Sequence, residues 1–334
     1  MDNLINIAIT NLISPPILFF ILGTVAARLK SDLDISAGLG KTLSLYLMLA
    51  IGFKGGVELS RSELSLTTGI ALLAAATLSF LLPLIAYGFI RLTTKMDRVN
   101  AGAIGAHYGS ISLVTFVAGT AFLETHAEYF EGFLIVMMVL MEAPAIISGL
   151  LLARRGLTVA QDKRKPMLSP KLLREVFFGW TIFILLGSLL IGFLTGERGM
   201  AAMAGFISLP FIGFLCLFML EMGLVAGRRL EELQKFGLPL ILFGFYMPLV
   251  GASLGILTGL LIGLSLGGVT LLAILCASAS YIVVPAALRH VLPQANPSIS
   301  VPLVLGVTFP FNILLGIPLY YHAAKVGWLL VRAG

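Results

Sequence analysis

The spacing of its apolar runs constrains this chain more than any other feature. Ten can be counted, near residues 12–28, 38–57, 65–92, 98–121, 130–154, 174–196, 203–226, 236–263, 267–290 and 300–330. A helix that crosses a bilayer needs about 20 apolar residues, so most runs can cross and the longer ones must tilt or break. Lipid offers no partner to a backbone N–H or C=O, so a crossing built from such runs has to be helical. Composition agrees. With 58% hydrophobic residues, 11% charged residues and a mean hydropathy of +1.03, an ordinary soluble domain is excluded. The expectation is an all-α polytopic membrane protein with about ten transmembrane helices. The first run is the shortest, and Pro15-Pro16 suits a helix start.

The net charge of +6 does not point to nucleic acid, because the basic residues sit in short loops and form no face interleaved with aromatics. Their distribution sets an orientation instead. With the N-terminus outside, the inner segments hold Arg28, Lys30, Lys41, Arg91, Lys95, Arg98, Arg154, Arg155, Lys163, Arg164, Lys165, Lys171, Arg174, Arg228, Arg229, Lys235 and Arg289, which is 17 of the 22 Lys and Arg. That asymmetry predicts a plasma-membrane protein with both termini outside and a cytoplasmic loop at 156–173. Met1-Asp2-Asn3 lacks the positive start of a signal peptide, so the first run is expected to stay. Cys216 and Cys276 both lie in apolar runs and read as small core residues rather than a disulfide or metal site.

The loop at 156–173 divides the runs five and five, giving units 1–155 and 174–334. Five is odd, so the second unit must enter the membrane in the opposite sense. Residues 49–56 align with 220–227 at an offset of 171, pairing Gly52 with Gly223 and Gly56 with Gly227, and Pro144 aligns with Pro310 at an offset of 166. An inverted repeat follows. In the eighth run Gly251, Gly255, Gly259 and Gly263, followed by Gly267, recur every four residues and predict one tightly packed helix face.

Two stretches break the apolar pattern at matching places. Residues 276–287 carry Ser278, Ser280, Tyr281 and Pro285, and residues 105–115 carry His107, Ser110, Ser112 and Thr115, with the serine pairs 168 apart. Interrupted polar segments at corresponding positions of two halves are the strongest sequence pointer to a transporter's binding site. Broken helices aim their N-terminal N–H groups and positive dipole ends at a common point, which suits a small anion. Ser110, Ser112, Ser278, Ser280 and Tyr281 are therefore the candidate anion ligands. Glu142, just before the helix-breaking Pro144, suits a hard cation, with Thr115 and Asn312 as further candidate ligands; an ion pair with Lys54 is the alternative for that carboxylate. Lys54 and His107 are candidate gating or proton-sensitive groups, and Glu221, near a helix end, reads as structural. Gly251-Ala-Ser-Leu-Gly255 mimics a hydrolase elbow and residues 38–42 the end of a phosphate loop, but both lack the required context, so no enzyme is expected.

Residues 277–289, 292–297 and 308–312, together with 46–56 and 141–144, resemble the sodium-dependent bicarbonate transporter family across most of the chain. That resemblance implies core and gate subdomains, an elevator-like motion, a homotrimer, and sodium-coupled bicarbonate uptake with serines of both broken helices at the anion site. A PII-like cytoplasmic regulator, described for some members, is put in doubt by the short central loop. Two departures stand out: Ala106-His107-Tyr108 replaces small and hydroxyl residues, and Glu142 replaces Asp. The leading expectation is a sodium symporter of bicarbonate or a similar small anion, with sodium as the coupling ion and no other cofactor. The alternatives are a sodium/proton antiporter using Glu142 and His107, or a membrane sensor or scaffold that binds a cytoplasmic regulator.

Overall fold

A computed structural model describes residues 4–61, 65–157, 174 and 179–333, and among them there is no strand. The first run becomes α2 (Pro15–Arg28), and a helix ahead of it, α1 (Leu4–Leu12), meets it at a bend of 61°. The bend falls at Pro15-Pro16, where missing N–H groups cannot continue α1 but fit the first turn of α2. Helix α1 lies ahead of the run expected at 12–28. The reason is Asn11, whose side-chain amide donates to the Ile313 and Leu314 carbonyls at 3.1 and 3.3 Å.

Helices α3 (Ala37–Arg61) and α4 (Leu66–Thr93) follow as single rods. The fourth crossing is split into α5 (Arg98–Gly109) and α6 (Leu113–Thr125), and the fifth into α7 (Leu134–Leu140) and α8 (Glu142–Arg154). Beyond Leu157 the connecting loop expected at 156–173 lies outside the described residues. The chain resumes with α9 (Trp180–Ile207), kinked at Gly196, whose φ of +53° glycine tolerates, and α10 (Phe211–Arg229). Then come α11 (Leu238–Ile262), the short α12 (Leu266–Ala277) and α13 (Val283–Val291). The last rod alternates α14 (Pro297–Leu303), a π-helical turn at Val304–Thr308, α15 (Phe309–Phe311), a second π turn at Asn312–Gly316, and α16 (Ile317–Ala333). Among the described residues eight spans are long and apolar enough to cross, α1 with α2 makes a ninth, and α12, at 12 residues, is too short to cross alone. This is a multi-pass membrane protein.

The helices pack in two groups. In the first, α2 lies along α10 and α3 along α9. Both crossings are glycine-lined: a Cβ on Gly23 would stand 2.1 Å from the Leu220 carbonyl oxygen, and one on Gly223 2.1 Å from that of Phe20. At the other crossing, a Cβ on Gly56 would stand 2.0 Å from the Leu189 carbonyl oxygen and one on Gly52 2.6 Å from that of Leu185. The glycines paired by sequence, Gly52 with Gly223 and Gly56 with Gly227, therefore do the same job, letting backbones touch where no hydrophobic force drives helix association in lipid. The second group holds α4, α5 and α8 in contact, with α11 along α12 and α12 against α6 and α16. Gly251, Gly255 and Gly259 press on α12 as the four-residue spacing predicts, but Gly263 ends α11 in the left-handed region (φ +83°) and Gly267 sits on α12 against the Tyr129 carbonyl. The glycine pattern outlasts the helix because a glycine is also what a helix end wants.

Candidate functional site

Helix α5 stops because Gly109 lies flat on Pro83 of α4, where a Cβ would stand 2.3 Å from the ring, and Ser110 then turns extended (φ −87°, ψ 153°). Ser112 restarts the helix as the N-cap of α6, its hydroxyl accepting from the Thr115 N–H at 3.3 Å. Helix α12 stops in the same manner at Ser278 (φ −81°, ψ 166°), and α13 opens two residues ahead of Pro285. Each break frees backbone groups that lipid cannot satisfy.

The two breaks satisfy one another. The Ser112 N–H donates to Ser278 Oγ at 2.9 Å, and the Ser280 N–H to the His107 carbonyl at 2.9 Å. His107 Nδ1 also bonds the Ser280 carbonyl, so this buried histidine holds the second break through both backbone groups of one residue, Ser280. Ser278 Oγ in turn donates to the Leu275 carbonyl at 2.9 Å, so Ser278 is a strut. Asn312 is a strut as well. Its Nδ2 donates to the Ala277 carbonyl at 2.9 Å and its Oδ1 accepts from Tyr320 at 2.7 Å.

Between the crossed breaks lies a cavity of about 30 Å³, roughly twice what the centre of one water needs. Ser112 and Leu113 at the start of α6, and Ser280, Tyr281, Ile282 and Val283 at the start of α13, form one side, with Glu142 beside them. The opposite wall is apolar and comes from the other packing group: Met48 of α3, and Ile182 and Leu185 of α9. Two half-helix N-termini thus meet a carboxylate in a space closed by hydrophobic side chains. Oriented N–H groups there favour an anion without a basic residue. Among the described residues the bonding partner of Glu142 is the Ser110 hydroxyl, which donates to Oε2, and no basic side chain pairs with it. The carboxylate is buried, so its charge calls for a mobile cation or a proton.

The candidates from the sequence therefore separate. Ser112, Ser280, Tyr281 and Glu142 line the cavity, Ser110 reaches it through Glu142, and Ser278, Asn312 and His107 brace it. Thr115 Oγ1 is buried in the first turn of α6 with no hydrogen-bond partner, and Thr115 is not among the residues lining the cavity. Lys54 lies elsewhere: it pairs with Glu124 at 2.9 Å and stacks over the Phe211 ring at 4.6 Å, so the alternative pairing with Glu142 is not made. Sequence reasoning missed Tyr108, bonded to Thr308, whose hydroxyl donates to the Gly244 carbonyl at 2.9 Å and ties α5 to α11. It also missed Ser79, which donates to the Met141 carbonyl at the α7–α8 break. A lone hydroxyl in an apolar run gives no sequence signal of its partner.

A family model described as the Na+-dependent bicarbonate transporter superfamily matches residues 15–325, from the first residue of α2 into α16. No curated protein matches the chain.

Proposed function

The chain belongs to the Na+-dependent bicarbonate transporter superfamily, and on that premise we propose that it imports bicarbonate or a similar small anion together with sodium. The observation that carries this reading is Glu142: a buried carboxylate with no basic partner among the described residues, in one cavity with two helix N-termini. The anion takes the N–H groups opening α6 and α13 and the hydroxyls of Ser112, Ser280 and Tyr281. The cation takes Glu142, with Thr115 as a further oxygen. Charge explains why the two travel together. An interior negative by about 100 mV opposes entry of a monovalent anion by about 2.3 kcal/mol, and one monovalent cation makes the step neutral. The apolar wall of Met48, Ile182 and Leu185 supports an elevator-like motion, because a cavity walled by two packing groups opens when one slides past the other. The basic loops support the orientation expected from the sequence, with the ends of α3 at Ala37 and of α10 at Arg229 on the cytoplasmic side.

The test is uptake of labelled bicarbonate into proteoliposomes at fixed pH and potential, with and without an inward sodium gradient. Sodium-dependent uptake is expected, and Glu142→Gln is expected to raise the half-saturating sodium concentration more than that of bicarbonate. Uptake indifferent to sodium would overturn symport and favour a proton carried by Glu142 or His107.

A further inference from the structure

A second pair of unsatisfied oxygens lies outside the central cavity. Glu221 of α10 rests its carboxylate on α3, where a Cβ on Gly40 would stand 1.8 Å from Oε1 and 2.3 Å from Oε2. Oε2 is buried without a hydrogen-bond partner. One turn along the same face of α3, Ser44 Oγ is also buried without a partner. Positions four apart on a helix stand about 5–6 Å from each other at Cβ, so the carboxylate over Gly40 and the Ser44 hydroxyl share one face of α3 about one turn apart. A hard cation about 2.3–2.6 Å from each of two oxygens fits that spacing. Four basic residues at this end are engaged elsewhere: Arg228 with Asp34, Arg229 with Glu232, Arg28 with Glu231, and Lys41 over the Trp180 ring. Glu221 is the eleventh of the 19 residues of α10, mid-helix rather than near an end as its sequence position suggested, and a half-buried carboxylate there is costly without a counter-charge. Among the described residues it has no hydrogen-bond or ion-pair partner.

We propose that Glu221 and Ser44 form a second cation site, on the α2–α3–α9–α10 group, that takes a monovalent metal ion, sodium in the working protein. The proposal rests on the sodium-coupled reading above. The site connects to the central cavity along two neighbours. Met48, one turn beyond Ser44 on α3, lines that cavity. Met222, next to Glu221, accepts from the hydroxyl of cavity-lining Tyr281 at 3.5 Å. A sodium ion leaving Glu142 toward the end of α3 that carries Lys41 therefore meets a second carboxylate, fixed to the group that Glu142 does not belong to. Its role is to receive the ion after the core has shifted and to lower the return rate.

Titration of the purified full-length protein with radioactive sodium tests this. Wild type is expected to show two classes of bound sodium. Glu221→Gln is expected to remove one class, Ser44→Ala to weaken that class about tenfold, and Glu142→Gln to leave it in place. Ser44→Ala changes no charge and keeps the test readable should Glu221→Gln fail to fold. Unchanged sodium binding in both Ser44→Ala and Glu221→Gln would overturn the second site and leave the central one standing. No saturable binding to wild type would overturn the sodium reading itself.

Discussion

Ser278 and Ser280 are two residues apart and face different tasks. Ser278 Oγ accepts from the Ser112 N–H, so Ser278→Ala leaves a buried donor unpaired, a loss of about 1–3 kcal/mol. A lowered thermal midpoint of the purified protein is expected. Ser280 lines the cavity, and among the described residues its hydroxyl is engaged by a single long 3.5 Å contact from the Val284 N–H. Ser280→Ala is expected to melt like wild type while raising the half-saturating bicarbonate concentration about tenfold or more, the worth of a hydrogen bond to a charged group. The reverse pattern would exchange their roles. Thr115 gives a sharper case, because its orphaned hydroxyl costs stability without returning any within the protein. Thr115→Val is expected to raise both the melting temperature and the half-saturating sodium concentration. A stabilised variant with unchanged sodium dependence would remove Thr115 from the cation site.

Helix α5 shows how a short element is held in place before its break can serve as a site. Asp97 caps it, accepting from the Asn100 N–H at 2.9 Å and from the Asn100 amide at 2.6 Å. Asn100 Oδ1 also accepts from the Asn296 N–H at 2.8 Å, pinning the start of α5 to the start of α14. Burial pushes the Asp97 carboxyl up, but the hydrogen bonds from Asn100 outweigh it and hold the group below its ordinary value. The cap's contribution is therefore present above the unfolded-state value, about 3.9, and lost as the pH falls through the lower folded value. Asp97→Ala is expected to cost about 1 kcal/mol at neutral pH. The difference from wild type should shrink on acidification, and a melting series across pH checks it.

For the molecule as a whole, Lys54–Glu124 is the contact to watch. It joins α3 of one packing group to the end of α6 in the other. If those groups slide during transport, this pair must part in every cycle. Lys54→Cys with Glu124→Cys, bridged by mercuric ion or by a short bis-methanethiosulfonate, is expected to stop uptake until excess small-molecule thiol displaces the bridge. Both native cysteines, Cys216 and Cys276, are buried, so background reaction should be small. Full uptake in the bridged protein would exclude sliding at this end.

The sequence by itself determined the class, most of the crossings and the places of the two serine-rich breaks, because lipid permits so few backbone solutions. Apolar length dictates helices, proline and paired serines mark where a helix cannot continue, and glycines at equivalent spacings mark where backbones meet. Helix α1 escaped because nothing local announces that Asn11 will serve carbonyls some 300 residues away, at 313 and 314. The division of labour within the site was decided only by the tertiary structure. Four serines look alike in the sequence, yet one is a strut, one serves Glu142, and two face the cavity. Lys54 and Glu142 looked like partners and are not, since their helices carry them to different places. A hydroxyl or a carboxylate has no fixed partner until packing supplies one, and in a low-dielectric interior the partner supplied decides what the group can still bind.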